Sequence, residues 1–443
     1  MSQSPAAVDY PAAIRAAQGD PQRLEDLYRA AGEAYAADTF ANALVASYRE
    51  APDNLLFAAW YYRLQGAAPE ARPARHTANW RLAVPLSVLL ALTLWALSDV
   101  RWTVVFGIPY VAVLWAPITA LFLIAFLTLS TRQHYLRAAL LGVILAAASA
   151  YVLAMTLRAG EPAGQTYLML MLLHLPLLSG VAVGLAVLGF RSSARDRFAF
   201  LTKSVETIGT AGVASIAGGI FVGLTYGIFE ALSVDIPDVF VRLLVAGGAG
   251  LIPVLAVAAV YDPALPPGEQ EFRRGFGRIL AILMRALLPL TLLVLAIYLF
   301  FIPFNFQQPF VHRDVLVIFN VLLFAIMGLL IGVTPVQDDD VPTRFQRLLR
   351  TGIIALAVLV TVVSLYALAA VLYRTAGTGL SMNRLVVIGW NVLNIGILLL
   401  LLARQVRPPR TDWVDSLQGT FRFGTLLYVA WPIFLTLALP WLF

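Results

Sequence analysis

Residues 379–405 read GLSMNRLVVIGWNVLNIGILLLLLARQ. Between Arg384 and Arg404 no side chain is charged. The interval suits a helix crossing a bilayer core, which takes about 20 apolar residues. Two amides, Asn391 and Asn394, interrupt it near the middle. Residues three apart share a helix face, and an amide facing lipid would find no hydrogen-bond partner, so that face points inward. Interhelical bonds of this kind contribute about 0.6 kcal/mol on average, which is enough to pin register between helices. A polar patch lining a hydrated pocket is the other reading of the pair. Asn320 and Ser364, in two other apolar stretches, are the candidate partners.

Outward from this stretch, ten more windows are apolar enough to span. The set runs 82–98, 105–130, 138–157, 167–190, 207–229, 239–260, 279–301, 315–333, 352–373, 385–403 and 424–442. The second is long enough to be tilted, or broken near Pro109 or Pro117. Charge tests the count, because cytoplasmic loops collect Lys and Arg. Segments on the N-terminal side, counted with Arg285 just inside the seventh span, hold 25 of the 31 basic residues, and the opposite loops hold 6. The alternation never breaks. The expected fold is therefore all-α: a polytopic bundle of about eleven spans over 82–443, joined by a linker at 67–81 to a cytoplasmic helical domain at 1–66. The N-terminus would be cytoplasmic and the C-terminus on the opposite face. Residues 1–20 lack the apolar core of a signal peptide, so the first span is expected to direct its own insertion.

The 443 residues are 60% hydrophobic and only 13% charged, against about a quarter charged in soluble domains. There is no cysteine, which excludes disulfides, thiol catalysis and thiolate metal sites. His76, His134, His174 and His312 are scattered, and no metal or other cofactor is expected. No phosphate-binding Gly-rich loop, GxSxG or HExxH occurs. Net charge is +6, but the arginines sit beside apolar spans and read as topology rather than as a nucleic-acid surface. Lys203 is the only lysine. That bias, with abundant Ala, Gly and Pro, points to a GC-rich bacterial genome and to the inner (plasma) membrane.

Ionisable groups inside the spans are few. His174, in MLLHLPLLSG, is embedded beside Pro176 and reads either as a proton-relay or pH-sensing group or as a satisfied interior histidine at a kink. Arg285 would snorkel to the cytoplasmic face, and Glu206 and Glu230 would bracket the fifth span. In that span Ala211, Ser215, Gly219, Gly223 and Gly227 recur every fourth residue, a stripe that lets another helix approach closely. The sixth span has AGGAG at 246–250, and the simplest arrangement packs these two consecutive helices together. A dimer seam, or glycines that unwind to meet a solute, would use the same residues. Asp338, Asp339 and Asp340 could hold a cation or cap a surface helix.

Residues 19–66 read as three amphipathic helices. Asp20 caps the first, with Pro21 at its first position, and Asp53 plays a similar part after Pro52. Leu24, Leu27, Tyr28, Tyr35, Phe40, Leu44 and Tyr48 form the apolar stripe. Gly32, Tyr35 and the Pro-Asp-Asn turn resemble a degenerate tetratricopeptide hairpin, which implies either a peptide-docking surface or a helical cap. Back in the opening stretch, GTGLSMNRL supplies Ser381 or Asn383 as a cap. Its small turn, Asn-Arg and Trp-containing helix, together with residues 239–301, resemble an uncharacterised family of polytopic bacterial membrane proteins known only as a domain of unknown function. Met382 stands where that family has proline, and the resemblance implies no activity.

Two functions fit: a permease or channel-like protein for an uncharged or lipid-like solute, and a non-catalytic scaffold or sensor that recruits a protein through its N-terminal domain. No carboxylate pair or Ser/His couple converges, so catalysis is not expected. Membrane lipids, a protein partner at the N-terminal domain and a homo- or hetero-oligomer are the expected associations.

Overall fold

The computed structural model describes residues 9–33, 37–66, 79–101, 105–189, 192–272, 275–311, 313–336, 343–406 and 413–443. Tyr35, residues 67–78 of the linker and the Asp338–Asp340 triplet lie outside them. The chain divides into two units, Met1–Thr77 and Ala78–Phe443.

The first unit has α1 (Tyr10–Ala16), α2 (Pro21–Glu33), α3 (Ala37–Glu50) and α4 (Leu55–Gly66). Asp20 Oδ1 caps α2, accepting from the backbone N–H groups of Gln22 and Arg23 at 3.1 Å each. The cap expected at Asp53 falls one residue later, where Asn54 Oδ1 accepts from Leu56 and Phe57. A lone hairpin buries its apolar face poorly. Here α1, which the sequence pattern did not single out, adds Tyr10 and Ile14 to a core with Leu24, Phe40, Leu44, Phe57 and Trp60. Arg63 closes the edge, donating to Glu25 at 2.8 Å and lying 4.3 Å over the Trp60 ring. That hydrogen bond holds the Glu25 carboxyl below the usual carboxylate range.

In the second unit the spans are α5 (Trp80–Leu97), α6 (Tyr110–Thr131), α7 (Tyr135–Ala159), α8 (Ala163–Leu188), α9 (Ala194–Ala231), α10 (Asp238–Val260), α11 (Gly275–Phe301), α12 (Arg313–Val333), α13 (Thr343–Thr378), α14 (Met382–Val406) and α15 (Trp413–Leu442). Among the described residues ten helices are long and apolar enough to cross a membrane. The remaining expected span, the eighth at 315–333, is α12, whose described apolar part, Ile318–Val333, is shorter. The protein is thus an all-α, multi-pass, membrane-embedded bundle. Several helices outrun their apolar windows, α9 most of all, because a helix continues past the bilayer wherever caps and side chains satisfy its ends; Ser193 Oγ, for example, accepts from Asp196 N–H at the start of α9. The second window breaks at Pro109, which precedes α6, while Pro117 stays inside the helix. Gly379, at φ +84°, ends α13, and Ser381 immediately precedes α14.

Two large cores share two helices. One joins α9, α11, α12 and α13 to the Ile397–Leu401 end of α14 and to Trp413–Phe421 of α15. The other joins α6, α7 and α8 to Met382–Trp390 of α14 and to Leu435 and Leu439 of α15. A smaller core holds α5 and α10 against α6. The last helix is tied down by Tyr167, whose hydroxyl donates to Thr436 O at 2.8 Å, and by Arg158, 4.1 Å over the Trp441 ring.

The two consecutive helices α9 and α10 touch as expected, but not through their small residues. Those of α10 close on α5: a Cβ on Gly250 would fall 2.7 Å from Ala91 Cα. On α9 a Cβ at Gly219, Gly223 or Gly227 would meet nothing within 4 Å; Ser215 is exposed and Ala211 half-buried. Both stretches carry the same local signal, and only the tertiary arrangement decides that α10 uses it inside this chain.

Candidate functional site

The opening amides sit where the two cores meet. Asn391 is 2% and Asn394 0% exposed. Asn391 Nδ2 donates to Asn320 Oδ1 on α12 at 3.0 Å and to Val387 O at 2.9 Å. Asn394 Nδ2 donates to Trp390 O at 2.8 Å, and its Oδ1 accepts from the Tyr428 hydroxyl on α15. One turn away, Trp390 Nε1 donates to His174 Nε2 on α8 at 3.2 Å. His174 Nδ1 lies 2.7 Å from Leu170 O. A carbonyl only accepts and an indole N–H only donates, so the imidazole is neutral and carries its proton on Nδ1. From α14 alone, side chains therefore bond to α8, α12 and α15.

Ser364 on α13 is buried and lines a cavity beside Asn391 with Phe319 and Leu323. That cavity is about 10 Å3, space for about one water and too small for a solute. Asn320, Asn391 and Asn394 each have a hydrogen-bond partner across a helix contact.

The larger space lies where the arginine-rich side of the bundle begins. Beside it lies an ion pair whose two members the sequence showed without joining them. Lys203 and Glu206, three apart on α9, are both buried and paired at 2.8 Å. Lys203 Nζ also donates to Glu271 O at 2.5 Å and lies 4.8 Å over the Phe272 ring. Glu206, at the start of the fifth window, is thus both buried and paired. On α11, Gly277 leaves room for the acid, since a Cβ there would fall 2.6 Å from Glu206 Oε1. The usable signals were the i, i+3 spacing of opposite charges and the identity of the only lysine.

Between α9, α11 and the end of α12 this leaves a cavity of about 460 Å3. Thr202 and Glu206 line it from α9, Gly277, Arg278, Ala281, Met284 and Arg285 from one face of α11, and Thr334 from beyond α12. Arg278 is exposed and Arg285 half-buried. Arg285, read as snorkelling to the cytoplasmic face, forms part of this wall. Ile282 lines the same cavity while remaining 56% exposed. A second cavity on this side, about 390 Å3, lies among Thr131, His134, Ser193, Asp196 and Tyr261. Its acid is engaged: Asp196 accepts from the Ser193 hydroxyl at 2.6 Å and from Gly268 N–H at 3.0 Å.

Among the described residues no cluster of His, Asp or Glu side chains could hold a metal ion. Compared with known protein families, curated proteins and solved structures, the chain matches none.

Proposed function

We propose that the protein is a permease-like protein of a bacterial inner membrane that handles a lipid-like solute, with its N-terminus cytoplasmic and its C-terminus on the opposite face. One observation carries this reading: the 460 Å3 cavity is lined by polar and apolar side chains together, and one of the apolar ones, Ile282, is 56% exposed. Its size is within the ~300–1,000 Å3 of small-molecule sites. The amide cluster touches it only through α12, which Asn320 ties to α14. Reconstitution tests the proposal. Vesicles containing the protein should move a fluorescent lipid between leaflets faster than empty vesicles do, and Ala281→Phe, which fills the cavity, should slow that movement. Equal rates with and without protein would remove the permease reading.

The second reading, a scaffold that recruits a soluble partner, is favoured by a separate observation: residues 1–77 form a unit with their own closed core. It requires a stoichiometric partner that is lost on deleting residues 1–66 while the remaining bundle stays monodisperse.

A further inference from the structure

We propose that the smaller cavity on the arginine-rich side binds an uncharged, polyhydroxylated group, a sugar or polyol, through the hydroxyls of Thr128 and Tyr261. This goes beyond the lipid reading of the larger cavity and does not depend on it.

The hydroxyls of the wall are the first argument. Thr128 and Thr131 come from the end of α6, Ser192 and Ser193 from the turn into α9, and Tyr261 from just past α10. Three of the five are engaged within the protein. Thr131 donates to Leu127 O at 3.1 Å, Ser192 accepts from Arg197 Nε at 2.9 Å, and Ser193 donates to Asp196 at 2.6 Å. Thr128 and Tyr261 are each 8% exposed, and among the described residues neither hydroxyl has a hydrogen-bond partner. A buried hydroxyl with no protein partner takes one from the space it borders, here the cavity that both residues line. Burial, and then the Asp262 and Asp196 carboxylates, push the Tyr261 hydroxyl above its ordinary value, so it keeps its proton and remains a donor.

The charge of the space is the second argument. Asp196 is the one acid among the described lining residues, and neither lysine nor arginine is among them. Its carboxylate already accepts from Ser193 and from Gly268 N–H, and it lies in the first turn of α9, where the helix end offsets its charge. His134 is exposed, with Nδ1 3.1 Å from Arg137 Nη2; a guanidinium only donates, so the imidazole is neutral and protonated on Nε2. An ionic ligand would find no counter-charge to spare, whereas hydroxyls both donate and accept and so match other hydroxyls. Pro263, Leu265, Pro266 and Pro267 add an apolar wall against which the C–H face of a sugar ring can lie. The volume, about 390 Å3, is that of a small-molecule site rather than of one trapped water.

The native chain has no cysteine, so Ala186→Cys, on the α8 side, gives one thiol in the cavity wall. Its alkylation by a water-soluble maleimide is followed with the full-length protein in phosphatidylcholine nanodiscs, which carry no sugar headgroup. Millimolar glucose or myo-inositol should slow the reaction severalfold, and inorganic phosphate or choline should leave it unchanged. Thr128→Val and Tyr261→Phe, each added to Ala186→Cys, should weaken the sugar's binding about fivefold while leaving the melting temperature unchanged. If glucosyl diacylglycerol in the disc protects and the free sugars do not, the polyhydroxylated group belongs to a lipid and the chemistry stands. Protection by phosphate or choline equal to that by the sugars would overturn the uncharged class. No protection by glucose, myo-inositol or the glycolipid would overturn the site. Undiminished binding in both hydroxyl variants would overturn the part given to Thr128 and Tyr261. Leu265→Cys, in the loop wall, carries the same comparison if Ala186→Cys does not fold.

Discussion

Lys203 carries the chain's only side-chain ammonium group and is 4% exposed, against a carboxylate, a backbone carbonyl and an aromatic face. Such a pair is costly to break from one side, because the survivor is a buried, uncompensated charge. Lys203→Met should therefore lower stability by about 3–5 kcal/mol, while Lys203→Met with Glu206→Leu should recover most of that loss. Denaturant titration of the three proteins checks both outcomes. In the amide cluster, Asn394→Leu strands the Tyr428 hydroxyl and should cost about 1–3 kcal/mol. Adding Tyr428→Phe should then cost less than the same change costs in the native protein. Asn391 and Asn394 were legible from sequence because an amide within an apolar stretch has few ways to be satisfied. Trp390 and Tyr428, which complete the cluster, were not, since an aromatic residue in a span is as much at home against lipid as against protein.

Between elements, the contrast of α9 with α10 shows what a sequence pattern leaves open. Water separates inside from outside in a soluble helix, whereas lipid is as apolar as the interior, so a span's buried face carries little hydrophobic contrast. The eleven stretches could be found from length and composition, but their neighbours could not. Gly250→Leu should force α10 away from Ala91 and lower thermal stability markedly. Gly223→Leu meets open space and should stay within about 0.5 kcal/mol of the parent. If copies of the chain meet along the α9 stripe, the second variant will instead reduce energy transfer between labelled copies without changing the melting of the single chain.

The loop after α5 offers a pH test. Asp99 accepts from Arg101 N–H at 3.0 Å and from Arg242 of α10 at 3.2 Å, and these contacts, the backbone one first, hold its carboxyl below the ordinary value despite partial burial. A carboxyl whose value is depressed by folding adds stability that is complete above its unfolded value of about 3.9 and disappears as pH falls through the lower folded value. Asp99→Asn should therefore differ from the parent at pH 6 and converge with it toward pH 3, as thermal melts at the two pH values would show.

At the scale of the whole molecule, the chain is a small helical unit followed by a bundle whose two main cores are joined through α14 and α15. The separate head was legible from its mixed charge and helical periodicity. Its closure by α1 was not, because Tyr10 and Ile14 form too short a pattern to register. The side cavity was illegible for a different reason: its lining comes from three elements far apart in sequence, and Arg278 and Arg285 look in isolation like ordinary residues at the end of a span.

The sharing of α14 and α15 has a mechanical consequence. These two helices come last in the chain yet serve as the spindle on which both halves of the bundle are mounted. Drawn upward from the C-terminal end by an atomic-force tip, the protein should resist most at the very start, while α15 and then α14 are extracted. Once they have gone, each half has lost its common wall, and the remaining spans should follow in weaker steps. Pulled from the N-terminal side, the order should reverse, with small steps first and the highest force reached late.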